Sequence, residues 1–354
     1  MSTLTRALPA EALTAGRLPR YTVPVAIVAS LLVAVAVATL AGGGNLGLAA
    51  VLSFVIYLVV MEVAARVVEG SRQASDRRAT TLVTGAFLLA LVPLVSVSWE
   101  AISKGVVRFD LGFFTQSMRN VVGPGGGAVH AIYGTLWVTG MASLISVPIG
   151  LLTSIYLSEY GRGGRLAKSI TFFVDVMTGI PSIVAGLAAY SLMGLLFGAG
   201  TKSAFSGSLA LSVLMIPVVV RSSEEILRLV PNELREASLA LGVPKWLTIL
   251  RVVLPTAISG LVSGVILAVA RVIGETAPLL IAAGFTASVN NNPFANPMMT
   301  LPVFVYDSYA RPGTEFQVYW DRAWAGALTL ILIVMILNLV GRLVASRFAP
   351  KTGR

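Results

Sequence analysis

The 354-residue chain has no cysteine and only one histidine, His130. Disulfides and thiol chemistry are excluded, and the redox compartment stays open. One imidazole cannot build a histidine cluster for a metal, and a hydrolytic triad would rest on it alone. Neither a metal site nor a catalytic residue is expected. Lysine is scarce too, with five in the chain, none of them following a glycine. A nucleotide-cradling loop of the Gly-Lys-Ser/Thr kind is therefore missing, and the run Gly123-Pro124-Gly125-Gly126-Gly127 reads as a turn leading into a helix. No cofactor is expected in this chain. Charge is low at 12%, where a soluble domain carries about a quarter.

What is present is apolar. Hydrophobic residues make up 56% and the mean hydropathy is +0.85. Such a chain cannot cover its surface with polar groups in water, and the bilayer is its expected partner. The net charge of +10 invites a nucleic-acid reading. The charges instead lie between long apolar runs, with no cationic stripe and no RNA-binding aromatic signature, so no nucleic acid is expected.

A spanning helix needs about 20 mostly apolar residues. Eight segments meet or approach this length, at 22–41, 47–65, 80–99, 128–157, 170–198, 206–221, 257–285 and 323–346. The sixth is short and could extend into its charged flank. The fold class expected is all-α, a polytopic transmembrane helix bundle of about eight spans. With the N-terminus placed in the cytoplasm, 19 of the 26 Lys and Arg fall in inside segments and six outside, with Arg271 left over. This bias and the even count put both termini inside. The first span resembles a signal peptide, with small residues near Ala36-Val37-Ala38. Its apolar run exceeds the usual length of about 7–15, and Gly42-Gly43-Gly44-Asn45 suggests a two-span hairpin instead. The expected divisions are 1–79, a cytoplasmic tail with an extra hairpin; 80–346, the core; and 347–354, a cytoplasmic tail.

The largest inside segment, 222–256, has helix punctuation. Pro231-Asn232 can start a helix, with Asn232 as N-cap. Leu234, Ala237 and Leu241 recur at helical spacing, and Gly242 can supply a left-handed stop. Pro244 suits the first turn of a second helix carrying Trp246, Leu250 and Val253, which Pro255 would close. Two short amphipathic helices meeting at a glycine make a cytoplasmic knob, or an interfacial helix lying on headgroups. Amphipathicity alone leaves both open.

The pattern Glu236-Ala237-Ser238, then Gly242, then Leu254-Pro255 resembles the cytoplasmic coupling motif of ATP-binding-cassette importer permeases, with Ser238 in place of a second alanine. Further stretches are similar to the permease subunits of phosphate importers, the PstA family. They are Ala-Val-His-Ala-Ile-Tyr-Gly-Thr-Leu-Trp-Val-Thr at 128–139, Ser158-Glu159-Tyr160-Gly161, Gly179-Ile180-Pro181-Ser182-Ile183, Leu254-Pro255-Thr256-Ala257-Ile258-Ser259-Gly260 and Ala270-Arg271-Val272-Ile273-Gly274-Glu275-Thr276-Ala277-Pro278. The resemblance covers roughly 80–346, with the first two spans an addition to the usual six. It implies a type I importer permease core in a bacterial plasma membrane. It also implies a homologous permease as partner, a dimer of separate ATP-binding subunits carrying ATP and Mg, and an extracytoplasmic phosphate-binding protein. Coupling would run through Glu236, Ala237, Gly242, Leu254 and Pro255. Rivals are a permease of the same architecture for molybdate or an amino acid, and a secondary transporter or channel.

Arg271 lies 14 residues beyond Ala257, roughly 21 Å along a helix and near mid-bilayer. Glu275, four residues on, is within reach on the same face. Gly260, Gly264, Ala268, Arg271, Glu275 and Pro278 share an arc of about 80°, and its small residues suit close approach of another helix. The arginine fork suits phosphate oxygens. Two readings follow, a translocation-pathway pair or a structural ion pair. Asp175 is expected to cap a helix or stay wet, and Arg221 with Glu224 and Glu225 to form a solvated helix extension. His130 is an outer-edge residue without a partner.

Overall fold

Close approach of backbones, which only small side chains permit, positions the helices of this protein. The computed structural model describes residues 16–40, 45–161 and 163–348. The expected turn at Gly42-Gly43-Gly44 and the tail beyond residue 348 lie outside the described residues, as does Arg162. The secondary structure of the described residues is entirely helical, and the chain divides into two compact units, Met1–Ser98 and Trp99–Arg354.

In the first unit, α1 (Thr22–Leu40) packs on α2 (Leu46–Val68). The buried positions of α1 are Ala26, Ser30, Ala34 and Ala38, one every four residues, and those of α2 include Ala49 and Ala65. Lipid tails are as apolar as Leu or Val, so these two helices gain little by burying large aliphatic groups against each other. Their buried positions are instead mostly alanine and serine, with Met61 the one large side chain among them, and most of the larger residues face outward. Asn45 caps α2, its Oδ1 accepting from the backbone N–H of Gly47 at 3.0 Å. After α2, Glu69 accepts from Arg77 at 2.5 and 2.7 Å and from the Leu18 backbone N–H at 2.8 Å. The arginine belongs to α3 (Ser71–Gly105), a helix carrying Pro93 in its interior.

In the second unit, α4 (Leu111–Thr115) precedes α5 (Val129–Ile155), which ends in a π-turn, Tyr156–Tyr160. Next come α6 (Arg165–Thr178), α7 (Ser182–Phe197) and α8 (Ala204–Arg228). Short helices α9 (Asn232–Ala240) and α10 (Lys245–Thr248) lead through a second π-turn, Ile249–Val253, into α11 (Leu254–Val272). The chain finishes with α12 (Ala277–Ala282), α13 (Leu301–Ala310) and α14 (Phe316–Phe348). Helix α8 is the hub, contacted by α5, α6, α7, α11 and α12. Its sequence supplies the reason, because Ser206, Gly207, Ser208, Ala210 and Ser212 are all buried. A Cβ at Gly150 of α5 would lie 2.6 Å from Val219 Cγ1 of α8, and Ser208 Oγ donates to the Val138 carbonyl of α5 at 3.1 Å.

Seven described helices are long and apolar enough to cross a membrane, and one bent pair makes an eighth. This agrees with eight expected segments, and two of them differ in form. The segment at 170–198 is broken between α6 and α7 by a 106° bend at Gly179-Ile180-Pro181. The segment at 257–285 stops at Val272, and four non-helical residues separate it from α12. Pro255 does not close a second short helix, because it sits in the first turn of α11, where its missing N–H costs little. Helix α10 runs on through the π-turn into the span, giving a 28-residue helix, Lys245–Val272.

If α5 and α8 are held by this close approach, Gly150→Leu should lower the thermal unfolding midpoint in detergent by several degrees, as overpacking costs about 1–3 kcal/mol. Gly140→Leu on the same helix should leave the midpoint unchanged, because nothing lies within 4 Å of a Cβ there. Equal midpoints for the two variants would contradict the hub.

Candidate functional site

Two places collect the residues singled out in the sequence, the α9–α10 corner and the end of α11. At the corner the turn chemistry holds as expected. Gly242 has φ +77°, the left-handed region that favours glycine. Its N–H donates to the Leu239 carbonyl at 2.9 Å and the Val243 N–H to the Ser238 carbonyl at 3.3 Å, the paired bonds of a Schellman stop. Ser238, the departure from a second alanine, is buried and its hydroxyl lies 2.9 Å from the Thr248 hydroxyl, tying α9 to α10. Glu236, Ala237 and Pro255 are exposed and Leu254 is half-buried. Leu234, Leu239, Trp246 and Leu250 are exposed as well, and Leu241 is 84% exposed. Exposed apolar side chains are thus gathered at this corner. Asn232 is not the N-cap. Pro231 occupies that position and Asn232 opens the helix, its Oδ1 instead 3.3 Å from Arg235 Nη1.

The corner rests on a polar cluster that spacing arguments missed. Glu159, in the π-turn after α5, is 5% exposed and accepts from Arg235 Nη2 at 2.8 Å. Lys245 Nζ donates to the Glu159 carbonyl at 2.5 Å and sits 4.8 Å from the centre of the Tyr160 ring. A cleft of about 230 Å³ beside them is lined by Glu159, Asn232, Arg235, Glu236, Leu239, Lys245, Thr248 and Ile249. Glu159 and Arg235 are 76 residues apart in sequence, and no local pattern could have joined them.

At the end of α11 the small-residue arc packs as expected. A Cβ at Gly260 would lie 2.6 Å from Ile226 Cγ2, one at Gly264 would lie 2.9 Å from Ser222 Oγ, and Ala268 is fully buried. The arc therefore meets α8. Arg271 is exposed and stands in the last turn of α11, near the end of the 28-residue helix and not its middle. A cation there is favourably placed against the carbonyl end of the helix dipole. Glu275 lies beyond the helix, half-buried, and no ion pair or hydrogen bond joins it to Arg271 among the described residues. The four-residue spacing lost its meaning when the helix stopped at Val272. Pro278 still belongs to a close contact, lying 2.6 Å from a Cβ built on Gly186 of α7.

Asp175 is exposed, one of its two expected settings, and pairs with Arg221 across α6 and α8. Glu224 is 5% exposed and not solvated as expected, accepting from the half-buried Arg221 at 3.1 Å and from the exposed Arg228 at 2.5 Å. His130 is buried, edge-on to Phe304 at 5.7 Å. Arg322 lies inside α14 and is fully buried, because that helix starts at Phe316 and not at 323. Its Nη1 donates to the Gly125 carbonyl at 3.2 Å, and Arg108 Nη2 donates to the Gly126 carbonyl at 2.8 Å. Two guanidinium groups thus clamp the glycine-rich loop ahead of α5, which serves as a turn. Among the described residues no cluster of three or more His, Asp or Glu could hold a metal ion.

An all-helical chain with several spans, a broken helix pair and an exposed two-helix corner has the build of a membrane transport subunit. The chain belongs to the family of binding-protein-dependent transport system inner membrane components, which it matches over residues 146–354. It is similar to phosphate transport system permease protein PstA 1 of Mycobacterium tuberculosis (strain ATCC 25618 / H37Rv), 47% identical over 284 residues, covering 78% of this chain and 90% of that protein. The PstA protein of Yersinia pestis is 36% identical over 279 residues, covering 78% of this chain and 92% of its own length. Among solved structures, an inward-facing conformation of the MetNI methionine ABC transporter has a chain of the same fold. Its TM-score is 0.52 at 20% identity, covering 62% of this chain and 95% of that one. The chain is thus a multi-pass membrane transport subunit.

Because nothing lies within 4 Å of a Cβ on Gly242, substitution there strains only the backbone. Gly242→Val should cost about 1–2 kcal/mol and speed amide hydrogen exchange through 232–248, and Gly242→Asn should do so less. Identical protection in both variants would show that the left-handed stop does not hold the corner.

Proposed function

We propose that this chain is the transmembrane permease subunit of an ATP-driven phosphate importer in a bacterial plasma membrane, with both termini cytoplasmic. It pairs with a homologous permease, and the translocation path lies between the two. A dimer of ATP-binding subunits, which carry ATP and Mg, sits on the cytoplasmic face, one of them gripping residues 232–255. An extracytoplasmic phosphate-binding protein delivers the substrate.

The observation that carries this reading is the exposed corner of α9 and α10, with its apolar tip at Leu241. This surface is accessible and continuous with a spanning helix, so a force applied to it by a separate ATP-hydrolysing subunit reaches the bundle. Phosphate as the substrate is supported by the names of the relatives and by the motif at 270–278. ATP binding favours one position of the corner over another, and the helices joined to it follow. In the pathway, Arg271 supplies an exposed, unpaired fork for phosphate oxygens, and Glu275 just beyond the helix end is free to compete for it. Residues 1–79 form an added tail and hairpin outside the permease core.

Purification in mild detergent should recover a second permease and an ATP-hydrolysing subunit. Hydrolysis by the reconstituted complex with its binding protein should rise with phosphate and not with molybdate or amino acids. Stimulation by one of those ligands alone would reassign the substrate, and transport by this chain alone on an ion gradient would remove the ATP-driven reading.

Arg271→Gln and Glu275→Gln should each lower phosphate uptake about tenfold or more at equal membrane abundance, the loss of one charge-assisted contact. Normal uptake in both would take them out of the pathway.

A further inference from the structure

Apart from the chain itself, which runs from α8 into α9 and from α10 straight into α11, few groups attach the corner of α9 and α10 to the spanning helices. Helix α9 buries one side chain, Ser238, and packs on α10 and the following π-turn. Among the described residues, its side-chain bonds to the ends of α5 and α8 all come from Arg235. This side chain uses every N–H of its guanidinium. Nε donates to Glu159 at 3.1 Å; Nη1 to the Val230 carbonyl at 2.6 Å and to Asn232 Oδ1 at 3.3 Å; Nη2 to Glu159 at 2.8 Å and to the Leu227 carbonyl at 2.9 Å. Arginine has five such donors, and all five are satisfied. One acceptor, the Leu227 carbonyl, lies in the last turn of α8, the hub of the second unit; the Val230 carbonyl lies two residues beyond that helix, and the Glu159 carboxylate stands in the π-turn that ends α5. Lys245 reaches the backbone of that same Glu159 from α10.

The geometry points to Arg235 as a positioning residue that locks the ATPase-facing corner to α5 and α8, so that a displacement of the corner reaches both helices at once. The inference rests on the reading of that corner as the docking element. A bolt of this kind is short and directional. Its fork meets acceptors on two separate helices, which a flexible ammonium cannot do simultaneously. Its partner carboxylate is buried, so loss of either charge leaves the other without compensation in a low-dielectric place. Both helix joints beside it are π-turns, Tyr156–Tyr160 before the corner and Ile249–Val253 after it. Such turns recur at functional points of helices. Neither lies between Arg235 and its α8 acceptors, so the path to the hub is direct.

The test uses the complete transporter with its binding protein in proteoliposomes, comparing wild type with Arg235→Lys, Arg235→Ala and Glu159→Gln. Three quantities are read, co-purification of the ATP-binding subunit, the ratio of phosphate-stimulated to unstimulated hydrolysis, and phosphate moved per ATP consumed. Co-purification should be retained in all variants. In Arg235→Ala and Glu159→Gln the stimulation ratio and the transport yield should fall about tenfold, within the range of typical coupling between sites. Arg235→Lys should lie between them and wild type, since a lysine can meet Glu159 but not both helix ends. Retained stimulation and yield in assembled Arg235→Ala complexes would overturn the inference. So would loss of co-purification in Arg235→Lys and Glu159→Gln, because the residue would then serve folding or docking and not transmission. Failure of the wild-type chain to recover any ATP-binding subunit is a different result, and it would remove the docking reading itself.

Discussion

Hydrocarbon gives helices no reward for burying leucine against leucine, and that constraint shapes this molecule more than any other. Association must come from close van der Waals contact and from hydrogen bonds that water cannot supply. The consequence is visible in which helix became the centre. Helix α8 is not the most apolar of the set. It carries the serines, glycine and alanines that let neighbours approach, and Ser208 bonds directly to the backbone of α5. The outward-facing aliphatic residues of α1, α2 and α3 belong to the same logic, being placed where lipid is as good a neighbour as protein.

Against this background, the corner of α9 and α10 obeys different rules. It is held by turn geometry at Gly242, by the hydroxyl contact of Ser238 with Thr248, and by ion pairing, the interactions suited to the edge of water. The two π-turns stand where one regime gives way to the other.

Much of this was legible in the amino-acid sequence, for reasons that differ by element. The eight apolar stretches could be counted because a bilayer fixes the length of a span. The stop at Gly242 could be read because few residues besides glycine accept a positive φ. The breaks were harder. Pro93, Pro148 and Pro217 sit inside continuous helices, so a proline alone does not mark an interruption. Pro181 and Pro278 stand at real ones, each preceded within a few residues by a glycine, Gly179 or Gly274. The combination carried the information that the single residue did not. Arg271 and Glu275 show the complementary limit, since four-residue spacing implies adjacency only while the helix continues. The first two turns of α14 carry little apolar signal, because aromatic and charged residues at 316–322 precede its continuous apolar run. Glu159 and Arg235 were both visible as individuals, yet their meeting depends on how α5 returns beside α8.

The latch between Glu159 and Arg235 has a bearing on how such subunits can be recombined. A graft of 232–248 from one permease into another would transplant half of a lock, leaving its keyhole behind in the donor at the foot of a different helix. Exchangeable modules in this architecture are therefore discontinuous in the gene. The foot of α5 has to travel with the corner it anchors, however far apart the two are encoded.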